Sequence, residues 1–307
     1  MLGAMSTTDG GQPVVGKTHG GGDGAGHPPA ARLRRAALAL TVLHPVPSLL
    51  DALLVAALAL VAGAALSGAG VLAFAMLGFQ VSIGSLNDLV DADADRRAGR
   101  TKPIPSGVVS KRAAGTIVVA GGAVGLLISA WFGLAVLLLG ALGYGCGIAY
   151  DVSLRRRGLG WLCFSIALPT LFGWVWLAVP GGLPQSWPLL MLLATLAGPA
   201  IHLANNLADV DLDRTAGAPS LADRLGVDRA RRLLLLLMVI IYACAWLLLW
   251  LAGPAAPGLA LGLAASVLAG LGIAASWAGS RALRQAGWLA QAGGLALLAL
   301  AWVLTVS

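Results

Sequence analysis

Long stretches with almost no charged residues divide this chain, and they restrict its fold more than any other feature. Five such stretches follow Arg35, and Asp51 is the one charge inside them. They are residues 36–87, 113–150, 158–208, 233–280 and 285–307. A helix needs about 20 apolar residues to cross a bilayer, so each of the first four stretches has room for two spans and the last for one. Only 11% of the residues are charged, against roughly 25% in soluble proteins. The sequence therefore predicts an all-α, polytopic membrane protein with about nine transmembrane helices.

Glycine, proline and serine residues interrupt each of the four longer stretches near its middle. We expect a turn at each interruption, because these residues favour turns over regular helix. The predicted turns are Ser67–Gly70, Phe132–Gly133, Pro180–Pro188 and Gly253–Gly258. The spans then form four hairpins followed by a single final helix.

The basic residues lie on one side of these hairpins, and the predicted turns on the other side carry no charge. The basic clusters are residues 32–35, 96–112, 155–157, 214–232 and 281–284. The positive-inside rule assigns such clusters to the cytoplasm. We therefore expect an integral protein of a bacterial cell membrane, with its N-terminus inside and Ser307 outside. The net charge of +7 then belongs to membrane-flanking loops, and it does not indicate nucleic-acid binding.

The first 31 residues differ from the remainder in composition. They are rich in glycine and poor in apolar residues, so they cannot bury a core, and we expect a disordered tail. They also lack the apolar centre of a signal peptide. The sequence thus predicts a tail over residues 1–31 and a single transmembrane domain over residues 32–307.

Two aspartate-rich segments match each other without gaps and indicate an internal repeat. Residues 85–99 (SLNDLVDADADRRAG) align with residues 203–217 (LANNLADVDLDRTAG), with eight identical positions of fifteen. Each segment follows the second helix of a predicted hairpin, on the side of the basic clusters. Because repeats in membrane proteins often meet at a shared site, we expect residues 87–95 and 205–213 to form two halves of one site.

Helical phasing selects a subset of these polar residues. At roughly 100° per residue, one face of each segment carries an Asn and two Asp side chains, while Asp93 and Asp211 point away. The residues on the shared faces are Asn87, Asp91, Asp95, Asn205, Asp209 and Asp213. Crowded carboxylates repel one another unless a cation joins them, and oxygen ligands of this kind suit Mg²⁺. The alternative is that these aspartates solvate a loop and offset nearby arginines.

The motif NDLVDADAD at residues 87–95 has the form NDxxDxxxD, and DVDLD at residues 209–213 has the form DxxxD. With about nine spans and an arginine-rich loop after Tyr150, the chain resembles the UbiA family of membrane prenyltransferases over residues 32–307. The resemblance implies a nine-helix bundle around a central cavity, with the Asp motifs on cytoplasmic loops above it. It also implies Mg²⁺-dependent transfer of a prenyl group from a polyprenyl diphosphate to an aromatic or other small-molecule acceptor.

The resemblance also implies roles for individual residues. Carried over by position, Asp91, Asp95, Asp209 and Asp213 are the catalytic, metal-binding carboxylates. Lys102 stands before Pro-Ile-Pro-Ser-Gly, where the family often has an arginine, and Arg155 follows Tyr150, where the family often has a lysine. The residues expected to contact the diphosphate are Arg100, Lys102, Tyr150 and Arg155.

Two further polar residues lie within predicted spans. Asp51 is in the first span, and His202 precedes the second motif by about one turn. Ionisable residues inside a membrane usually face a cavity or a partner group, so both are candidates for contact with the acceptor. The alternatives are a helix-end residue that reaches the interface for Asp51 and ordinary packing for His202.

Other functions remain open from the sequence. The same motifs are compatible with terpene cyclisation or with transfer of a phosphoribosyl group to a polyprenyl phosphate. A cation-coupled transporter is a different class, but transporter sites lie near the middle of the bilayer, and these motifs lie at its edge. No obligate protein partner is evident from the sequence.

Overall fold

The computed structural model describes residues 29–181, 183, 187–215, 220–253 and 255–306, and every regular element in these ranges is helical. The predicted all-α class is therefore confirmed. The first helices are α1 (Pro29–Leu40), α2 (Pro45–Val61), α3 (Leu66–Arg97), α4 (Lys111–Trp131), α5 (Leu134–Ala149) and α6 (Arg155–Arg157). The others are α7 (Gly160–Leu177), α8 (Trp187–Thr215), α9 (Leu221–Leu225), α10 (Val227–Ala252), α11 (Ala256–Ser276) and α12 (Arg281–Val306).

Eight of the described helical segments are long and apolar enough to cross a membrane. Residues 30–43 and Pro45–Val61 form a ninth candidate span, with a bend of 46° between its two parts. The bend falls at His44, which has a positive φ of 47° and precedes Pro45. The structure thus agrees with the prediction of about nine spans, and the chain is an integral membrane protein.

The first predicted turn is wrong by a few residues. Ser67–Gly70 lies inside α3, and the chain turns between α2 and α3 at residues 62–65. Gly63 makes this turn with a positive φ of 95°, which a residue with a Cβ rarely adopts. The other three predicted turns fall at breaks between helices, but the second of these includes the first two residues of α8 and the third includes the first three residues of α11. Most of the predicted tail (residues 1–28) lies outside the described residues, and α1 begins at Pro29, before the predicted boundary at Arg32.

Small residues let the helices of the bundle approach each other closely. A Cβ on Gly78 of α3 would lie 2.8 Å from the carbonyl oxygen of Gly121 on α4. Helix pairs in membranes are often packed through such small residues. Large side chains such as Leu58, Leu72 and Trp174 fill the interior, while leucines such as Leu127 remain exposed on the outer surface. This distribution suits a bundle whose outer surface faces lipid.

Contacts between charged side chains join the helix ends on one side of the bundle. Arg155 at the start of α6 reaches Asp91 on α3, and Arg281 at the start of α12 reaches Asp209 on α8. Arg224 of α9 donates to the backbone oxygens of residues 156 and 157. Both aspartate motifs therefore lie at the same end of the bundle, together with the basic clusters.

Candidate active site

The first aspartate motif belongs to the last turns of α3, because the helix continues unbroken to Arg97. The family resemblance implied motifs on loops, so this motif is more regular than expected. Helical geometry then determines which side chains are buried. Asp88 and Asp95 are each only 2% exposed, whereas the side chain of Asp93 is 62% exposed. Asp93 thus points outward, as the helical phasing predicted.

Lys102 lies between the two buried carboxylates of this motif. Its Nζ is 2.9 Å from Asp88 Oδ1 and 2.9 Å from Asp95 Oδ2. Burial disfavours the charged amine, but hydrogen bonds and the charges of Asp88 and Asp95 outweigh it and raise the pKa of Lys102 above its ordinary value. Lys102 therefore remains a cation at the centre of the motif.

The loop between α3 and α4 holds Lys102 in this position. Ile104 is buried with Ala92 of α3 and Ala114 of α4 in a small apolar cluster. The backbone N–H of Val109 donates to the carbonyl of Pro103 and closes the loop. Arg100, in the same loop, is 3.1 Å from Asp95 Oδ1. The structure thus brings two predicted diphosphate ligands, Arg100 and Lys102, to the first motif.

Asp91 makes the shortest ion pair of the first motif. Arg155 Nη2 lies 2.7 Å from Asp91 Oδ1 and 2.6 Å from Oδ2, and Arg156 Nη2 lies 3.3 Å from Oδ1. The guanidinium of Arg155 also lies 6.0 Å from the centre of the Tyr150 ring. Arg155 and Tyr150 therefore sit beside the predicted metal ligand Asp91.

Two acidic residues of this region were missed by the sequence analysis. Asp88 follows the motif asparagine and pairs with Lys102 and, at 3.4 Å, with His44. Asp151 follows Tyr150, and its carboxylate accepts a hydrogen bond of 2.8 Å from Asn87 Nδ2. A signal for Asp151 was present, since it is an isolated acid at the end of a long uncharged stretch.

The second aspartate motif belongs to the last turns of α8. Asp209 Oδ1 accepts hydrogen bonds from Arg281 Nε at 2.9 Å and from Gln285 Nε2 at 3.3 Å. Asp211 lies on another face of the helix and pairs with the buried Arg284. The side chain of Asp213 lies outside the described residues. The described carboxylates of the second motif therefore take their cationic partners from α12, whereas the buried or half-buried carboxylates of the first motif take theirs from the α3–α4 loop and α6.

A cavity of about 210 Å³ adjoins the second motif. Asn205 and Asp209 line it from α8, Gln285 and Trp288 from α12, and Pro47 from α2. The indole nitrogen of Trp288 is buried and has no hydrogen-bond partner among the described residues. The cavity thus has a mostly apolar wall and a polar edge formed by the motif.

The start of α2 connects the two motifs. His44 contacts Asp88 of the first motif, and Val46 and Pro47 line the cavity beside the second. On another side, the imidazole of His202 on α8 packs against Tyr150, with ring centres 5.7 Å apart. The two motifs therefore lie at one end of the bundle, with the start of α2 near both of them.

Oxygen atoms from Asn and Asp dominate both motifs, and this donor set is suited to a hard cation such as Mg²⁺. Within the described ranges, no three His, Cys or Asp side chains converge closely enough to hold a metal ion by themselves. Mg²⁺ commonly takes only one or two carboxylates and completes its shell with water and phosphate oxygens. The spacing of the described carboxylates is therefore compatible with ions shared between motif and substrate.

Asp51 and His202, the two residues within the spans that were predicted to contact the acceptor, have different surroundings. Asp51 on α2 accepts a hydrogen bond of 2.5 Å from Gln80 Nε2 on α3. Gln80 lies on the same face of α3 as Asn87, about 10 Å deeper in the bundle. His202 is only 1% exposed, and its Nδ1 has no hydrogen-bond partner among the described residues. It packs between Tyr150 and Phe164.

These features define a class: an integral membrane protein with two helix-end Asp motifs, each neutralised by arginine or lysine, around one end of an apolar bundle. A sequence model of the UbiA prenyltransferase family matches residues 48–290, well over half of the chain. The chain therefore belongs to the UbiA prenyltransferase family, and the resemblance noted from its motifs is confirmed.

Individual relatives agree with this assignment. Chloroplastic chlorophyll synthase from Avena sativa is 29% identical over 162 residues, which cover 48% of this chain and 42% of that protein. The match thus spans less than half the length of the curated relative.

Solved structures share the fold at low sequence identity. A digeranylgeranylglyceryl phosphate synthase superposes with a TM-score of 0.66 at 14% identity, covering 89% of this chain and 99% of the other. A UbiA homologue from Archaeoglobus fulgidus, bound to GPP and Mg²⁺, gives a TM-score of 0.66 at 19% identity, covering 85% of this chain and 99% of the other. These likenesses establish the fold.

Proposed function

We propose that this protein transfers a prenyl group from a polyprenyl diphosphate to an aromatic or other lipid-precursor acceptor within the membrane, with Mg²⁺ as cofactor. The observation that carries the proposal is the pairing of two Asp motifs with Lys and Arg side chains at one end of the bundle. Family membership and the GPP- and Mg²⁺-bound relative support it.

The residues proposed to hold Mg²⁺ are Asn87, Asp91, Asp95, Asn205, Asp209 and Asp213. When bound, Mg²⁺ would neutralise the charge that develops on the diphosphate as the C–O bond breaks. Asp91 and Asp209 are the best supported of these residues, because their side chains are 17% and 36% exposed, against 3% for Asp95. A metal ion at either carboxylate would share it with Arg155 or Arg281, or displace that arginine.

Arg100, Lys102 and Arg155 are proposed to bind the diphosphate, with Tyr150 beside them. Each of the three cations lies within 3.1 Å of a motif carboxylate. A diphosphate that approaches the same carboxylates through shared metal ions would thus meet these cations directly. Fixed cations at this position stabilise the leaving group where its charge develops.

The acceptor is proposed to bind below the diphosphate, toward the middle of the bundle. Asp51 and Gln80 supply the polar groups at this depth, and their hydrogen bond joins α2 to α3. Asp51 has the chemistry to orient an acceptor hydroxyl or amine and to accept its proton. His202 is proposed to line the same region beside Tyr150. The apolar helices around them would keep water away from the allylic cation.

The proposed orientation follows from the charge distribution. The end that carries the motifs also carries the basic clusters, so the positive-inside rule assigns this end to the cytoplasm of a bacterial cell. A cysteine introduced at the exposed Ser106, in a chain whose own cysteines are replaced, should react with an impermeant thiol reagent only after the membrane is opened. Labelling of intact cells at this position would contradict the proposed orientation.

Diphosphate release by the purified protein in lipid nanodiscs tests the proposed reaction. Labelled prenyl diphosphates of several lengths are incubated with Mg²⁺, with and without a panel of aromatic acceptors. We expect Mg²⁺-dependent release that falls by about 100-fold or more in Asp91→Ala and Asp209→Ala, because each change removes charge stabilisation at the leaving group.

Asp228→Ala is the matched control, because Asp228 is 87% exposed and pairs only with Arg231 among the described contacts. It should retain the activity of the unaltered protein. Absence of release with every prenyl diphosphate would contradict the proposed function. Product analysis then separates prenylation of an acceptor from terpene cyclisation. A separate incubation with a phosphoribosyl donor and a polyprenyl phosphate tests phosphoribosyl transfer.

A further inference from the structure

Asp151 is a buried carboxylate to which the proposed reaction assigns no role. It is 2% exposed and lies in a π-helical turn, Tyr150–Leu154, between α5 and α6. Its Oδ1 accepts the hydrogen bond from Asn87 Nδ2, and its Oδ2 has no hydrogen-bond partner among the described residues. Burial of a carboxylate with so few partners costs free energy, so a compensating role is expected.

The contact with Asn87 is one of two parallel links that join α3 to this turn and to the start of α6. Asn87 bonds to Asp151, and four residues further along each segment Asp91 bonds to Arg155. The two links have the same sequence separation of 64 residues. The π-helical turn, a type often found at functional sites, thus presents an acceptor to the asparagine of the first motif, and the start of α6 presents a donor to its aspartate.

We propose that Asp151 is a positioning residue that fixes the orientation of the Asn87 amide, so that its carbonyl oxygen is presented to the metal ion. This inference rests on the proposed function, in which Asn87 is a metal ligand. A carboxylate accepts hydrogen bonds and offers no donor, so it binds only the NH₂ end of an amide. With Nδ2 held by Asp151, the Oδ1 of Asn87 must point away from Asp151.

Without this constraint, the amide of Asn87 could rotate and turn its NH₂ group toward the cation. An NH₂ group cannot ligate Mg²⁺, and hydrogen-bond donors repel it electrostatically. Mutation of a residue that hydrogen-bonds to a metal ligand typically lowers metal affinity by about 10- to 100-fold. Asp151 is suited to this task because its own position is fixed by burial.

A reciprocal exchange of the two side chains tests the inference. Asp151→Asn can present either end of its amide to Asn87, so orientation is lost. Asn87→Asp places two carboxylates against each other. The double variant Asn87→Asp/Asp151→Asn restores one hydrogen bond with reversed polarity, and the carboxylate at position 87 still offers an oxygen to the metal. Tyr144→Phe is the control, because it removes a different interhelical hydrogen bond, to Ser82.

The primary readout is binding of Mn²⁺, as a substitute for Mg²⁺, followed by electron paramagnetic resonance with a non-hydrolysable prenyl thiolodiphosphate present. We expect Asp151→Asn to weaken Mn²⁺ binding by about 10- to 100-fold, and the double variant to recover most of this loss. Tyr144→Phe should bind Mn²⁺ like the unaltered protein. The melting temperature without metal is measured for every variant.

Each possible result either supports or overturns the proposed role of Asp151. Unchanged Mn²⁺ affinity in Asp151→Asn overturns the inference while the proposed function stands. Two other results also overturn it. One is a loss of thermal stability without a change in Mn²⁺ affinity, and the other is a double variant that binds Mn²⁺ no better than the worse single variant. Both are expected if the hydrogen bond between Asp151 and Asn87 only stabilises the fold. If the unaltered protein binds no Mn²⁺ and releases no diphosphate, both the inference and the proposed function are wrong.

Discussion

Lys102 neutralises two buried carboxylates at the end of α3, and this makes it the most consequential single charge of the first motif. Asp88 and Asp95 are both buried, and each lies 2.9 Å from the ammonium group. Removing one partner of a buried ion pair costs about 3–5 kcal/mol when the other charge is left alone. Arg100 still faces Asp95 and His44 still faces Asp88, so the loss of Lys102 should cost an amount near the lower end of that range. Lys102 therefore stabilises the fold as well as contributing to the proposed diphosphate site.

Lys102→Met should accordingly lower the melting temperature of the protein strongly, even without substrate. Lys102→Arg keeps the charge and should lower it much less. Lys111→Met is the matched control, since Lys111 pairs with Asp93, whose side chain is 62% exposed, and exposed pairs contribute little. Thermal unfolding in detergent, followed by tryptophan fluorescence, measures all three. Equal effects of the two methionine variants would show that burial of Asp88 and Asp95 does not control stability.

The sequence predicts the position of a side chain correctly where helical periodicity alone determines it. It does not predict contacts that depend on the tertiary fold. The outward position of Asp93 follows from the phase of α3 alone. The pairing of Asp88 with Lys102 depends on the loop that returns Lys102 to α3, and the link between Asp151 and Asn87 depends on the packing of two segments distant in sequence. Neither contact has a periodic signal in the sequence. The roles assigned to the motif residues as metal ligands stay predictions.

At the level of helices, the contact between α3 and α4 depends on the absence of side chains. Gly78→Ala would place its Cβ 2.8 Å from the carbonyl oxygen of Gly121, so the helices must separate, at a cost of about 1–3 kcal/mol. Gly70→Ala on the same helix is the control, because a Cβ there meets nothing within 4 Å. We expect Gly78→Ala to lower the melting temperature and Gly70→Ala to leave it unchanged or raise it. A similar melting temperature for both variants would contradict close packing at Gly78.

The helices were predictable because the bilayer imposes a minimum apolar length on each span. The ends of the helices were less predictable. The sequence predicts a turn at Gly68 and Gly70, yet both residues continue α3, because glycine within a membrane helix need not break it. Hydropathy does not reveal the bend at His44 or the π-helical turn Tyr150–Leu154, because it reports the polarity of a segment and not its backbone geometry.

At the scale of the whole molecule, the bundle brings two similar motifs to one end although they are far apart in the chain. The start of α2 lies near both, with His44 against Asp88 and Pro47 lining the same cavity as Asp209. Basic residues from the α3–α4 loop, α6 and α12 surround them. The repeat in the sequence predicted two halves of a shared site, and the common end of the bundle supports that interpretation.

Binding of a non-hydrolysable prenyl thiolodiphosphate with Mg²⁺ tests most directly whether the two motifs act as one site. Its affinity is measured by calorimetry for Asp91→Asn, Asp209→Asn and the double variant. Residues that act as a unit are strongly non-additive. We therefore predict that each single change weakens binding by about 10-fold or more, and that the double change is little worse than the more damaging single one. Losses that simply multiply, or a motif whose change has no effect, would contradict a single shared site.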